Sequence, residues 1–155
     1  MQKIASFTVD HDLLTEGMYI SRIDGDITTF DMRTRKPNSG DYMDNITMHS
    51  VEHMFATLVR NSAIGENVIY FGPMGCRTGF YLLTRDVQPD IVFEETKKVL
   101  RGILDEDKMY GQSRRECGNY LELDLNKAKV ECKRYLDILQ AKGEKNDFTY
   151  KGEKI

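Results

Sequence analysis

At 155 residues, 40% apolar and 30% charged, the chain has the size and composition of one globular domain able to bury a core. Twenty-five acidic against 22 basic residues give a formal charge of -3 with no basic block, which removes the electrostatic case for nucleic acid. No run approaches the roughly 18 apolar residues of a membrane span, and Met1-Gln2-Lys3-Ile4-Ala5 lacks a signal peptide's apolar core, so a cytosolic location is expected.

Residues 4–10 alternate weakly through Ile4, Ser6, Phe7 and Val9 and meet His11, which by itself reads as a capping or surface residue. A turn at 13–17 precedes two β-rich runs, 18–23 and 27–32. Asp24-Gly25-Asp26 between them predicts a hairpin. Arg33, Arg35 and Lys36 follow, before the loop Pro37-Asn38-Ser39-Gly40. Such a basic cluster is usually solvated, although one guanidinium could grip an anionic ligand group in bidentate fashion.

A helix is expected from Asn45 or Thr47, either of them a plausible N-cap, to Asn61. At about 100° per residue, His49, Glu52 and His53 share one stripe. Val51, Phe55, Leu58 and Val59 form an adjoining apolar arc, and Ser50, Thr57 and Asn61 take the opposite side. Two of the chain's three histidines thus stand with a carboxylate beside the core. An unsatisfied buried polar group costs about 1–3 kcal/mol, and a cation would satisfy all of them together.

Residues 67–71 read as a buried strand and 80–84 as another. Between them runs Gly72-Pro73-Met74-Gly75-Cys76-Arg77-Thr78-Gly79, whose glycines let backbone approach a ligand closely. Strands on both sides and the wrong spacing exclude a dinucleotide fingerprint. Cys76 beside Arg77 is either an available thiolate or a structural thiol in a tight turn.

Pro89-Asp90 opens a covering helix, 91–105, with Val92, Val99 and Ile103 inward and Lys97, Lys98 and Arg101 largely outward. A polar loop, 109–119, contains Cys117-Gly118. That loop offers Cys117 no core to fill, which favours a ligand role. A third helix, 126–142, aligns Ala128, Cys132, Tyr135, Leu136 and Leu139 on one face, making Cys132 a core residue. Gly143 stops it, and the tail to Ile155 either frays or adds an edge strand. Three cysteines without repeating spacing argue against a disulfide framework. With no repeat or linker, residues 1–155 read as a single domain.

His49, His53 and Cys117 together would give N, N and S ligands with an open tetrahedral position. That set suits Zn or Fe(II) and excludes Mg or Ca. Glu52 and Cys76 remain as proton carriers, a combination suited to enolising a carbonyl compound and also to hydrolysis.

His49-Ser50-Val51-Glu52-His53, the loop from Gly72 through Tyr81, and Cys117-Gly118 together resemble the S-ribosylhomocysteine lyase (LuxS) family, as does Phe30-Asp31-Met32-Arg33 followed by Pro37-Asn38. The resemblance runs from Ser6 to the third helix. It implies an α+β fold, an antiparallel sheet packed with about three to four helices. It also implies a cytosolic bacterial homodimer with active sites at the subunit interface, and one Fe(II) per subunit, replaceable by Zn or Co. His49, His53 and Cys117 would then be the metal ligands, Cys76 and Glu52 the general acids and bases, and Ser6, His11 and Arg33 substrate-pocket residues. The implied reaction cleaves the thioether of S-ribosylhomocysteine, giving homocysteine and 4,5-dihydroxy-2,3-pentanedione, the precursor of autoinducer-2. Ser50 replaces a threonine found in many members. Val68-Ile69-Tyr70-Phe71 stands where some members have an aspartate, so no catalytic role is assigned to that stretch.

Two rivals come from other classes. An inverse zinc peptidase shares His-x-x-Glu-His but resembles larger chains with a glutamate as third ligand. A structural zinc module would need a fourth ligand, for which Cys76 or His11 is the candidate.

Overall fold

The computed structural model describes all 155 residues, and its sheet starts at the hairpin that Asp-Gly predicts. Strands β1 (Gly17–Asp24) and β2 (Ile27–Arg33) pair antiparallel with Asp24 opposite Ile27, leaving Gly25 and Asp26 as a two-residue turn. Gly25 takes φ +62°, the left-handed conformation such turns require at their first central residue. Strand β3 (Val68–Pro73) pairs with β4 (Gly79–Arg85), and β4 pairs with β2, giving the all-antiparallel order β1-β2-β4-β3.

The two-residue period sorts each strand. Phe30, Met32, Phe80 and Leu82 point into the core, all 1% exposed or less, where helices α1 (Asn45–Arg60), α2 (Pro89–Asp105) and α3 (Leu125–Ala141) cover them. This α+β architecture, with two further short 3-10 turns, matches the expected fold class. Asp31 and Arg33 take the other face of β2 and are also buried, because the C-terminal tail crosses the β1 edge. Phe148 packs on the core side against Phe30, and Tyr150 stacks on Tyr19 on the other side. The tail accepts the Ile20 N–H through the Phe148 carbonyl at 2.8 Å but forms no strand. Residues 5–7 form a 3-10 turn.

The orientation of α1 decides where the site lies. Val51, Met54, Phe55 and Val59 are buried against the sheet, each contributing about 1.5–3 kcal/mol of apolar transfer. Phe55 meets Phe71 at 4.5 Å, and Phe71 stacks on Phe80 at 5.0 Å. With that face committed to the sheet, the His49, Glu52 and His53 stripe is turned to the flank of the helix, half-buried beside the core, as the helical wheel predicts.

Several details differ from the sequence reading. The cap of α1 is Asp44, not Asn45 or Thr47; its carboxylate accepts the Thr47 N–H at 2.7 Å, and a negative charge suits a helix N-terminus best. Ser50 does not face outward. It is fully buried and accepts the Asp124 N–H at 2.8 Å. The β3 strand is not buried on both faces: it is a sheet edge, with Ile69 and Tyr70 exposed. Lys97 is only 8% exposed, its long apolar stem covering core surface while its ammonium lies 4.5 Å over the Phe93 ring and pairs with Glu94. The third helix keeps its expected face, with Ala128, Cys132, Tyr135, Leu136 and Leu139 all buried. Gly143 beyond its end adopts φ +79°.

Candidate metal centre

The stripe on α1 meets the irregular segment that runs from α2 to α3. Cys117 comes to 3.3 Å from His49 Nε2. One ligand atom each from His49, His53 and Cys117 lies within 4.8 Å of the others. The two imidazoles stand edge-on, with centroids 4.6 Å apart and planes at 90°, so their ring nitrogens converge rather than stack.

Backbone carbonyls set the tautomer of both rings. His49 Nδ1 donates to the Glu122 carbonyl at 2.8 Å, and His53 Nδ1 to the Tyr110 carbonyl at 2.9 Å. With the proton fixed on Nδ1, each Nε2 keeps a free lone pair, the usual outer-shell arrangement around a metal-binding histidine. The Cys117 sulfur accepts the Asn119 N–H at 3.3 Å, and the Cys117 N–H donates to the Ser113 carbonyl at 3.0 Å. Gly111 lets the segment pass: its φ is +67°, and a Cβ there would sit 2.8 Å from His53 Nδ1. Ser50 clamps the far end of the segment through Asp124. Two imidazoles and a thiol, with outer-shell bonds in place, fit a tetrahedral cation of the Zn or Fe(II) type. The third donor is a sulfur, so the peptidase pattern, which needs a glutamate there, is not present. Within the one chain, neither Cys76 nor His11 belongs to the group.

Glu52 shares the α1 stripe and is half-buried, but its carboxylate is outside the trio. Cys76 is exposed at the tip of the β3–β4 loop. That loop is stapled by Met74 N–H to Gly79 O, Arg77 N–H to Met74 O, and the Thr34 and Arg35 N–H groups to Thr78 O. The cation that faces the thiol is Arg33, not the neighbouring Arg77. Arg77 bends away in a left-handed conformation, φ 63°, and lies over the Tyr42 ring. Arg33 instead reaches across the sheet face, donating to Thr78 Oγ1 at 2.8 Å and to Cys76 Sγ at 3.9 Å. Cys76 Sγ is also 3.0 Å from Thr78 Oγ1.

The basic cluster expected to be solvated is in fact mostly paired. Arg33, 3% exposed, is held by both oxygens of Asp31 at 3.0 and 2.6 Å. Burial works against its charge, but Asp31, with smaller help from Cys76 and Tyr150, lifts the guanidinium pKa above its ordinary value. Arg35 grips the buried Glu131 on α3 at 3.0 and 2.6 Å. Only Lys36 is exposed.

Ser6 sits in the first 3-10 turn, and His11 hydrogen-bonds the Val9 carbonyl at 2.9 Å, both half-buried. The trio is brought together within one chain, and Cys76 is brought to Arg33. No hydrogen bond joins Ser6, His11, Arg33 or Cys76 to the trio. Asp31, Thr78 and Gly111 are site residues that sequence reasoning missed. Asp31 was the most readable, since it stands two residues before Arg33 on a strand and so on the same face.

The profile of the S-ribosylhomocysteinase (LuxS) family matches residues 4–146. The chain is 41% identical over 153 residues to an S-ribosylhomocysteine lyase of Borreliella burgdorferi strain ZS7, covering 94% of this chain and 98% of the relative. It is 42% identical over 158 residues to one from Clostridium beijerinckii, covering 94% and 97%. A third, from Finegoldia magna, is 42% identical over 145 residues, covering 90% and 92%. Together with the convergent His49, His53 and Cys117, these matches show that the chain belongs to the S-ribosylhomocysteinase (LuxS) family.

Proposed function

We propose that the protein is an S-ribosylhomocysteine lyase, a carbon–sulfur lyase that releases homocysteine and 4,5-dihydroxy-2,3-pentanedione. The observation that carries this reading is the trio His49, His53 and Cys117, with both Nδ1 atoms tied to carbonyls, in a chain of this family. His49, His53 and Cys117 would hold one Fe(II), with Zn or Co as substitutes. When bound, the ion supplies Lewis acidity toward a substrate oxygen.

The chain's own side chains do the proton work. Two carbonyl shifts along the ribose each take a proton from one carbon and return one to its neighbour, which needs groups able to both accept and donate. Glu52, on the His stripe, and Cys76, on its stapled loop, fill those roles. Once a ketone stands next to the carbon adjoining the C–S bond, removal of the α-proton expels the homocysteine sulfur. Ser6, His11 and Arg33 bind and orient the substrate. Neither Ser6 nor His11 is hydrogen-bonded to the trio within the chain, which agrees with a homodimer whose sites are completed across the interface. Exposed Ile4, Phe7 and Leu13 flank Ser6 and His11 and suit apolar burial there. A bacterial cytoplasmic location and a part in autoinducer-2 formation follow from this reading.

The test is thiol release from S-ribosylhomocysteine by anaerobically purified protein of measured metal content. Catalytic homocysteine release is expected. Its absence from fully metallated protein overturns the assignment.

A further inference from the structure

Residues 147–155 lie beyond the family match, which ends at 146, yet they reach one of the most buried polar groups in the molecule. Phe148 packs edge-on against Phe30 and Phe93, at 5.9 and 6.1 Å between centroids. Tyr150 stacks on Tyr19 at 5.1 Å, and its hydroxyl donates to Asp31 Oδ2 at 2.7 Å. Asp31 is 1% exposed. It spends both oxygens on Arg33 Nε and NH2, and Arg33 spends NH1 on Thr78 Oγ1 and Cys76 Sγ.

This is a relay of orientation. A carboxylate turns easily about its last torsion, and a guanidinium held in a fork turns with it. The third contact, from Tyr150, removes that freedom. Burial and then Asp31 keep the Tyr150 hydroxyl protonated, its pKa lying well above the ordinary range, so it remains a donor. We propose that Tyr150 is a positioning residue: acting through Asp31, it fixes the Arg33 guanidinium against Thr78 and the Cys76 thiol. The tail outside the family match thereby sets the geometry of the reactive loop. For its catalytic consequence, though not for its geometry, the inference rests on the lyase reading.

The test uses full-length, metal-loaded Tyr150→Phe, which keeps the ring and its stack on Tyr19 and removes only the hydroxyl. One readout is kcat/KM for homocysteine release, in the wild-type and Arg33→Lys backgrounds, since lysine cannot make the fork. A loss of about three- to tenfold is expected in the wild-type background, falling below about twofold in Arg33→Lys, because residues acting through one partner are not additive. The second readout is the rate at which phenylglyoxal modifies Arg33, followed by peptide mass spectrometry, which is expected to rise several-fold in Tyr150→Phe. An equal loss of kcat/KM in both backgrounds, unchanged kcat/KM, or unchanged Arg33 modification overturns the proposal. If the wild-type protein releases no homocysteine, the lyase reading falls, and Arg33 modification still decides whether Tyr150 holds the guanidinium.

Discussion

Gly111→Ala should weaken metal binding without touching a ligand. The new Cβ would lie 2.8 Å from His53 Nδ1 and 3.2 Å from His53 Cε1, closer than side chains tolerate, so the ring or the segment must move. Either movement breaks the 2.9 Å bond from Nδ1 to the Tyr110 carbonyl. Loss of such an outer-shell partner costs about 10- to 100-fold in metal affinity, or about 1.4–2.7 kcal/mol. A separate cost falls on folding: alanine at φ +67° is destabilising by about 1–2 kcal/mol. Chelator competition measures the first term and denaturant unfolding of the metal-free protein the second. Gly75→Ala is the control, since a Cβ there meets nothing within 4 Å. Wild-type affinity in Gly111→Ala, or an equal drop in Gly75→Ala, would refute the claim that the Tyr110 carbonyl fixes the His53 tautomer.

Cys117→Ala should abolish stoichiometric metal binding, whereas Cys76→Ser should keep full metal content and lose homocysteine release by at least about a hundredfold; metal loss in the latter would place Cys76 among the ligands. Iodoacetamide should label the exposed Cys76 and spare Cys132, whose complete burial pushes its thiol pKa well above the ordinary value; peptide-resolved mass spectrometry reads this directly, and labelling of native Cys132 would contradict its place in the core. Asp44 gives a pH signature. The Lys127 ammonium and the Thr47 N–H lower its carboxyl from 3.8 to about 2, so its stabilisation is complete above the unfolded value and is lost as pH falls through the folded one. Asp44 is largely exposed, which limits the effect to about 1 kcal/mol or less. Asp44→Asn, which keeps a competent cap, should therefore trail the wild type at pH 7 and converge on it as pH falls below the folded value of about 2 in urea unfolding. A deficit as large below that value as at pH 7 would show that the ion pair is not its source.

The elements of the fold were legible because their signals are local. The Asp-Gly turn, the helical stripe on α1 and the apolar face of α3 each follow from spacing alone. The trio was legible for the same reason, two of its members being fixed by one helix, with Cys117 left as the cysteine that had no core to fill. What the sequence hid depends on contacts between distant segments. Period two places Asp31 and Arg33 on one face, but nothing local says that residue 150 returns to bury them, so a cluster that reads as solvated becomes a paired interior. Ser50 fails likewise: the helical wheel turns it away from the stripe, while the segment before α3 arrives to cover it. The reading of β3 errs through order in the sheet. An apolar run cannot reveal whether a strand is central or at an edge.

The two halves of the candidate site are held by different physics. On the sheet side, Arg33, Asp31 and Thr78 are buried and hydrogen-bonded to one another and to Tyr150 of the tail, so the Cys76 loop is oriented by the chain itself. On the helix side, His49 and His53 stand on a rigid helix, but their partners Tyr110 and Glu122, with Cys117 itself, belong to a segment without regular secondary structure. Polar contacts tie that segment to α1 through the two Nδ1–carbonyl bonds, through Ser50 to Asp124 and through Cys117 to His49, and Met109, Tyr110 and Leu123 pack it on the core. A cation held by the trio would therefore contribute part of its binding free energy to ordering residues 106–124. The helix supplies the position of the two imidazoles, whereas the loop bearing the thiol is held by the sheet.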